Sequence, residues 1–477
     1  MRRFTRLATA LVGLLCVFTI VAGLAVASML PGRLRVWQPA RITTAQLARP
    51  TAVLGAAGKS PQDSSRATPA GIKRAIAPVL TSAMVGKSFG AQVTDLASGQ
   101  VLYSARAGTG FAPASTAKLA TAVAALAKLG PAAKFKTSVV AGSSPAAIVL
   151  VGGGDPTLAA GRPPASDYPQ PATLLGLAKI TAHALAARGR HSVQVGYDVS
   201  LYGGPGLATG CSPSYISTGN VSVITPLEVD QGRLTAAGAP EDADVPDARP
   251  RSADPAAQAA AVFAKYLRAD GIKVRGTPKQ TAAKRGATVL ASADSPPLAE
   301  MIQWMLEESN NVIAENLARH VAIATGRPAS FTGAAQAVTA ELHGLGILSG
   351  VHLYDGSGLS VDDRITPQTL VQLIRLSVSH PQLRSVLTGL PVANFSGTLT
   401  RGASVFPPGG SAAHGAVRAK TGNLNTVAAL AGVAYAKNGQ LLAFAVMADK
   451  LRPNAGPLTA ASAMVRLATV LAGCGCH

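Results

Sequence analysis

Residues 111–118 read FAPASTAK, and this stretch decides how the rest of the chain is interpreted. Proline and alanine lead into a predicted helix that begins at or near Ser115 and continues to Leu129. Residues three apart lie on one face of a helix, so the hydroxyl of Ser115 and the amine of Lys118 can meet. A serine hydroxyl is a weak nucleophile until a neighbouring group takes its proton. Lys118 can do so only when neutral, which requires burial or a nearby positive charge to lower its pKa.

Two further short motifs follow in the chain. Ser309-Asn310-Asn311 lies between two predicted amphipathic helices, residues 297–307 and 312–325. Lys420-Thr421-Gly422 lies on or beside a predicted strand, where a glycine lets another backbone or a ligand approach closely. Taken singly, each motif has an ordinary structural interpretation: a helix cap before a solvated lysine, a capping turn, and a strand end. Only their combination and order indicate a function.

In that order, Ser-x-x-Lys, Ser-x-Asn and Lys-Thr-Gly resemble the signature of the penicillin-recognising serine acyltransferases. Ser309 follows Ser115 by 194 positions, a gap much longer than in class A β-lactamases. The chain therefore most resembles the class C low-molecular-mass penicillin-binding proteins, the D-alanyl-D-alanine carboxypeptidase/endopeptidase family. The resemblance covers roughly residues 70–470 and includes three further stretches, which are residues 153–158, residues 355–360, and residues 397–399 with Arg401.

The resemblance implies an α+β fold in two parts. Residues 70–138 and 296–473 would form a transpeptidase/β-lactamase-like domain, an antiparallel sheet flanked by helices. Residues 139–295, where short apolar runs alternate with Gly- and Pro-rich turns, would form a large inserted, strand-rich domain. The residue patterns also predict a helix over 70–85, a hairpin over 90–105, a second hairpin around Asn438-Gly439 and a last helix over 458–471.

The resemblance also implies catalytic roles. Ser115 would attack the carbonyl between two terminal D-alanines, releasing D-alanine and leaving an acyl-enzyme that water hydrolyses. Lys118 would accept the serine proton, and Ser309 would pass a proton to the leaving amine. Asn311 would hold the lysine and the substrate amide. No metal or organic cofactor would be needed.

Further implied roles concern substrate binding. Lys420 and Thr421, followed by Gly422, would bind the terminal carboxylate, and Lys420 would also keep the catalytic lysine neutral by repulsion. The backbone N–H groups of Asn423 and of the nucleophile would form an oxyanion hole. Asp155 is either a contact for a substrate amino group or part of an Asp-Pro turn.

One position departs from the family pattern. Relatives often have an arginine directly after the Gly-Leu-Ser of the 355–360 stretch, where it helps to bind the side-chain end of the stem peptide. This chain has Val361 there, and Arg364 three positions later. The pattern therefore leaves the recognition of the peptide side chain open.

The N-terminus predicts export. Arg2, Arg3 and Arg6 precede an uncharged apolar run over residues 7–30, long enough to cross a bilayer. Residues 1–30 are either a signal peptide cleaved near Ala25-Val26-Ala27 or a retained plasma-membrane anchor, with a linker over residues 31–69. The protein would therefore lie outside the cytoplasm, in the periplasm or cell wall.

The charge of the chain fits an exported protein. The 477 residues include 43 Lys and Arg against 23 Asp and Glu, a formal charge of +20, which favours an anionic partner. Export makes that partner the cell envelope rather than nucleic acid. Export also permits a disulfide, so Cys211 could pair with Cys474 or Cys476, or these cysteines could be free thiols.

Three functions stay open on this basis. The first is a D-alanyl-D-alanine carboxypeptidase, with or without D,D-endopeptidase activity, that acts on peptidoglycan peptides and is acylated by β-lactams. The second is a β-lactamase, although the insertion has no Glu-x-x-Leu-Asn stretch of the kind that activates the deacylating water in class A enzymes. The third is a non-catalytic, basic envelope-binding protein, against which the complete motifs argue.

Overall fold

A computed structural model describes residues 66–234, 249–400, 406, 411–453 and 455–476. The predicted signal or anchor segment (1–30), nearly all of the predicted linker (31–69) and Arg401 lie outside the described residues. The described residues fall within one compact unit, so the predicted domain boundaries at residues 139 and 295 stay predictions.

The described residues contain thirteen strands and twelve α-helices. The strands are β1 (Phe89–Asp95), β2 (Val101–Ala105), β3 (Lys136–Ala141), β4 (Ala147–Val151), β5 (Ser192–Asp198), β6 (Lys273–Val274), β7 (Lys279–Gln280), β8 (Val289–Asp294), β9 (Val351–His352), β10 (Arg364–Ile365), β11 (Val417–Leu424), β12 (Val427–Tyr435) and β13 (Leu441–Ala448). The helices are α1 (Pro69–Ile76), α2 (Ser82–Val85), α3 (Lys118–Leu129), α4 (Leu174–Ala186), α5 (Ser214–Ser217), α6 (Pro255–Ala269), α7 (Leu298–Glu307), α8 (Asn311–Ala324), α9 (Phe331–Gly344), α10 (Pro367–Ser379), α11 (Arg384–Thr388) and α12 (Ala455–Gly473).

One sheet is five-stranded and antiparallel, with strand order β11-β12-β13-β1-β2. Successive side chains of a strand point to opposite faces. Along β12, Ala429 and Ala431 therefore face one hydrophobic core while Ala428 and Leu430 face another. Because helices cover both faces, β12 and β13 are almost continuously apolar. The predicted hairpin between β12 and β13 is confirmed by their pairing up to Tyr435 and Leu441.

Helix α3 lies at the centre of the helical layer on one face of this sheet. It packs against α8, α9 and α10, and every residue from Lys118 to Leu126 is buried. A helix with no exposed face is a core helix, in which a lysine loses its hydration. The packing of α3 thus decides the environment of Lys118 before any neighbouring charge is considered.

The second sheet lies in the predicted insertion and has the order β6-β5-β4-β3-β8, with β7 paired to β5. The expectation of a strand-rich insertion is incomplete, because α4 and α6, of 13 and 15 residues, pack together beside this sheet. Strands β4 and β5 run parallel, and a parallel pair needs a crossover, which α4 supplies. The signal for α6 was present in the sequence, because its buried residues recur at helical spacing after the N-cap Asp254 and Pro255.

Two details of the predicted elements differ from the structure. The single helix expected over 70–85 is two helices, because Pro78 cannot continue α1. The helix expected from Ser115 begins as a 3-10 turn, Ala114–Ala117, and becomes α-helical at Lys118.

The cysteine pairing also differs from the sequence-based alternatives. Cys474 and Cys476 are bonded to each other and Cys211 is a free thiol. Cys474 and Cys476 follow α12 and lie beside the core on the far face of the five-stranded sheet, whereas Cys211 lies in the insertion beside Asp355. Of the two alternatives that the sequence left open for Cys211, a disulfide or a free thiol, the structure has the free thiol.

Helix α12 is long and apolar enough to cross a membrane, and no other helix among the described residues is. More than half of its most apolar window is buried, and α12 packs against β12 and β11. These contacts make α12 a core helix of the sheet rather than a membrane segment.

Replacing Leu126 with alanine should lower the free energy of unfolding by about 2–5 kcal/mol, because Leu126 is fully buried in the core around α3. Urea denaturation followed by circular dichroism measures this loss. Leu458→Ala on α12 is the matched control, since that side chain is 59% exposed and should change stability by no more than about 0.5 kcal/mol. Equal losses in the two variants would show that α3 is not the core element.

Candidate active site

Ser115 lies in a short turn that is held in an unusual backbone conformation. Ala114, immediately before it, has φ 44°, a left-handed value that alanine seldom adopts. A Cβ added at Gly358 would collide with the carbonyl oxygen of Ala114, so a glycine is needed where the two chain segments meet. Such strain persists where surrounding structure enforces it, commonly at functional sites. The half-buried Ser115 side chain faces a cleft.

The Lys118 amine has three neighbours within hydrogen-bond distance. Nζ lies 2.8 Å from Ser115 Oγ, 2.6 Å from Asn311 Oδ1 and 2.8 Å from the carbonyl oxygen of Ser357. The last two oxygens are acceptors only. A neutral amine has two hydrogens and one lone pair, so its hydrogens go to those two oxygens. The lone pair then faces the Ser115 hydroxyl, which donates to it, as a general base requires.

Burial is what makes this lysine a base. It lowers the pKa of the Lys118 amine to about 7, against the smaller opposing effects of Asp355 and Glu315. Burial is also the first cause of the strongly lowered pKa of Lys420, followed by repulsion from Lys118 and opposed by Glu308. The sequence analysis left burial or a nearby positive charge open as the cause, with repulsion by Lys420 as a contribution, and burial is the largest cause of the lowered pKa of Lys118.

The stretch at residues 355–360 contacts the Lys118 amine through the carbonyl oxygen of Ser357. The Asp355 carboxylate accepts the backbone N–H groups of Ser357, Gly358 and Ser360 at 3.0, 2.6 and 2.7 Å. Glu315 accepts the N–H of Gly356 at 3.0 Å. These bonds fix the turn that presents the Ser357 carbonyl to Lys118. Sequence reasoning found the motif but missed the positioning roles of Asp355 and Glu315.

Helix α8 brings the second motif to Lys118. Asn310 is the N-cap, and its side chain accepts the N–H of Ile313 at 3.0 Å, while Asn311 contacts Lys118. The capping and functional interpretations of this motif thus apply to adjacent residues. Ser309, with φ 59°, turns the chain so that it lines the same cleft as Ser115.

The third motif lies on the edge strand β11. The Thr421 hydroxyl donates to Thr398 Oγ1 at 2.9 Å, and Lys420 Nζ donates to the carbonyl oxygen of Thr421 at 3.0 Å. A Cβ added at Gly422 would lie 2.6 Å from the carbonyl oxygen of Pro113. Only glycine therefore lets β11 pack against the turn that carries the candidate nucleophile.

These segments enclose a cleft of about 380 Å³. Ser115, Ser309, Asn311 and Asn423 line it, together with a wall from the insertion formed by residues 215 and 218–220. Asn311 Nδ2 donates to the carbonyl oxygen of Asn220 at 2.8 Å. The insertion thus helps to orient the Asn311 amide, a contribution that no sequence motif signalled.

Asp155 lies outside the cleft that holds Ser115. Its buried carboxylate accepts the N–H and hydroxyl of Thr157 at 2.8 and 2.6 Å, which is a turn-stabilising arrangement. Burial raises the pKa of Asp155 to about 6. Asp155 does not line the cleft that holds Ser115, and its contact with a substrate amino group stays a prediction.

Arg364 does not replace the missing arginine of position 361. Its Nη1 donates to the carbonyl oxygens of Val361 and Asp363, both at 2.7 Å. The guanidinium is thus committed to its own loop, and Val361 is 47% exposed. The structure supplies no cation at this position among the residues described here.

The chain is similar to a known protein family and to known proteins over most of its length. The D-Ala-D-Ala carboxypeptidase 3 (S13) family matches residues 72–250 and 227–471. Carboxypeptidase DacB of Mycolicibacterium smegmatis is 37% identical over 428 residues, 88% of each chain, and carboxypeptidase Rv3627c of Mycobacterium tuberculosis is 36% identical over the same share. Among solved structures, penicillin binding protein 4 (dacB) from Haemophilus influenzae has a TM-score of 0.66 at 21% identity, covering 82% of this chain and 98% of that one. This last likeness shows the fold.

Replacing Gly422 with alanine should slow the modification of Ser115 by an acylating reagent about 100-fold, because displacing β11 misaligns the cleft. Intact-protein mass spectrometry follows the reaction. Gly108→Ala is the matched control, since a Cβ there meets no atom within 4 Å and the rate should not change. A Gly422→Ala protein as reactive as the control would show that the close approach of β11 is unnecessary.

Proposed function

This chain belongs to the D-Ala-D-Ala carboxypeptidase 3 (S13) family and is a serine-type D-alanyl-D-alanine carboxypeptidase, and we propose that Ser115 is its nucleophile. One observation carries the proposal: the buried Lys118 amine lies 2.8 Å from Ser115 Oγ and also within 2.8 Å of two oxygens that only accept hydrogen bonds, Asn311 Oδ1 and the Ser357 carbonyl oxygen. No other arrangement of these atoms leaves a lone pair for the hydroxyl proton.

The proposed acylation step joins the contact between Ser115 and Lys118 with the roles that the family resemblance implies. Ser115 Oγ attacks the carbonyl carbon of the penultimate D-alanine while its proton moves to Lys118 Nζ. The backbone N–H groups of Ser115 and Asn423 stabilise the oxyanion, and one such donor is typically worth about 2.7–4 kcal/mol. The C–N bond then breaks and the proton passes through Ser309 to the leaving amine of D-alanine. An ester to Ser115 remains.

The deacylation step reuses the same base. Lys118, neutral again, takes a proton from a water molecule that attacks the ester, and returns it to Ser115 Oγ as the C–O bond breaks.

Thr421, supported by Thr398, and Lys420 bind the terminal carboxylate of the substrate. Binding an anion there restores the proton affinity of Lys420 that burial weakens.

The protein binds peptidoglycan peptides and β-lactams and acts outside the cytoplasm. We propose that residues 7–30 hold it at the plasma membrane as an uncleaved anchor, on the basis of their length and the preceding arginines. The intact mass of the protein from its native host separates an anchored chain from a cleaved one.

Release of D-alanine from a D-Ala-D-Ala peptide should fall at least about 10⁴-fold in Ser115→Ala, because the nucleophile is lost. Penicillin should add its mass to Ser115 in the wild type and not in the variant. Gly108→Ala serves again as the control with full activity. Equal D-alanine release by wild type and Ser115→Ala would overturn the assignment of the nucleophile.

The lifetime of the penicillin adduct distinguishes the carboxypeptidase from a β-lactamase. The absence of a Glu-x-x-Leu-Asn stretch from the insertion predicts that the adduct persists for many minutes. Turnover of penicillin within seconds would instead show efficient deacylation and favour a β-lactamase.

The rate of acylation by penicillin should fall about tenfold per pH unit below pH 7 and level off above it. Below its pKa of about 7, Lys118 binds a proton and loses the lone pair that accepts the serine hydrogen. Stopped-flow measurement of adduct formation between pH 5.5 and 8.5 gives the profile. A flat profile would mean that another group deprotonates Ser115.

A further inference from the structure

A groove of about 430 Å³ lies where the insertion meets helix α7. Asp167, Tyr168, Gln303, Trp304, Glu307 and Thr388 line it, and we call it the junction groove. The volume lies within the range of about 300–1,000 Å³ that is typical of small-molecule sites. None of the catalytic steps above uses these six residues.

The junction groove is held open by hydrogen bonds between its walls. Tyr168 Oη donates to Gln303 Oε1 at 2.9 Å, and Gln303 Nε2 donates to Thr388 Oγ1 at 2.7 Å. Trp304 packs against the core around α3, while 63% of Tyr168 is exposed. The aromatic side chains are thus fixed in position before any ligand arrives, which lowers the entropic cost of binding.

The groove continues the catalytic cleft. Glu308 lines both cavities and lies close enough to Lys420 to oppose the lowering of its pKa. A Cβ at Gly397 would collide with the carbonyl oxygen of Glu307, so the turn that holds Thr398 packs on α7. The junction groove therefore extends from the carboxylate-binding end of the cleft, beyond the scissile bond.

We propose that the junction groove binds the glycan chain of peptidoglycan, a polymer of N-acetylated hexosamines, through its sugar rings. The proposal rests on the proposed function for its choice of polymer. Sugar rings present apolar C–H faces that pack on Tyr168 and Trp304, and hydroxyls that donate to carboxylate oxygens. Because Asp167 and Glu307 repel anions, the carboxylate-bearing stem peptide is the poorer occupant. The glycan bound here belongs to a strand next to the peptide being cleaved.

The test uses the full chain and N,N′,N″,N‴-tetraacetylchitotetraose, whose lack of charge removes the general attraction of a +20 protein for anions. Isothermal titration should show binding by the wild type. Tyr168→Ala should raise the dissociation constant about tenfold or more, since a stacking surface is lost. Tyr168→Phe should retain more of the affinity than Tyr168→Ala, because the ring remains and only its hydrogen bond to Gln303 is lost. Circular dichroism verifies that each variant is folded.

Tyr435→Ala is the matched control, because this tyrosine is also exposed, at 48%, and lies at the end of β12 away from the groove. Its affinity for the tetrasaccharide should equal that of the wild type. No binding by the wild type, or equal losses in Tyr168→Ala and Tyr435→Ala, would overturn the proposal. Binding of trilysine in place of the sugar, weakened by Glu307→Gln, would instead identify a site for cationic peptides and also overturn it. Penicillin acylation of Ser115, measured separately, distinguishes these results from a failure of the proposed function.

Discussion

A lysine amine held without its proton is the constraint on which this site rests. The Lys118 amine is buried in a helix with no exposed face, and hydration of the charged form is what it loses. The two carbonyl oxygens supplied by Asn311 and Ser357 satisfy the hydrogens of the neutral amine. They also fix its lone pair toward Ser115. Desolvation sets the proton affinity of the Lys118 amine, and its hydrogen bonds set the direction of its lone pair.

Each large feature of the fold contributes to that position. Strands β11 and β12 of the five-stranded sheet pack against the Ala114–Ala117 turn that carries Ser115, and β11 approaches this turn closely at Gly422. Helix α8 carries Asn311, and the insertion orients the Asn311 amide through the carbonyl of Asn220. The same helix binds the insertion at His320, which lies 2.9 Å from the carbonyl oxygen of Gly154. The insertion is therefore part of the catalytic framework as well as a substrate wall.

The sequence predicts the features that local rules govern. Ser115 and Lys118 meet because residues three apart share a helix face, and the hairpin at Asn438-Gly439 follows from turn chemistry. The sequence does not show that burial is the main cause of the lowered pKa of Lys118, because burial is a property of packing between distant segments. The Asn220 contact and the pairing of the cysteines likewise depend on which segments meet, and no local period encodes that. The helices of the insertion were missed although α6 has a local signal, an N-cap at Asp254, Pro255 in the first turn and buried residues at helical spacing.

The carboxyl groups of Asp355 and Glu315 also affect the pKa of the Lys118 amine. An ionised carboxylate close to Lys118 would raise the pKa of the amine and remove the base. Burial, however, raises the pKa of the Glu315 carboxyl to about 7. At pH 7 about half of the Glu315 carboxyls are therefore protonated, which reduces the effect of this group on the Lys118 amine. The Asp355 carboxylate accepts three backbone N–H groups, and the rise that it causes in the pKa of Lys118 is smaller than the lowering caused by burial. Burial of Lys118 thus outweighs the effect of the neighbouring acids, and the proton affinity of the amine stays low enough for a base near neutral pH.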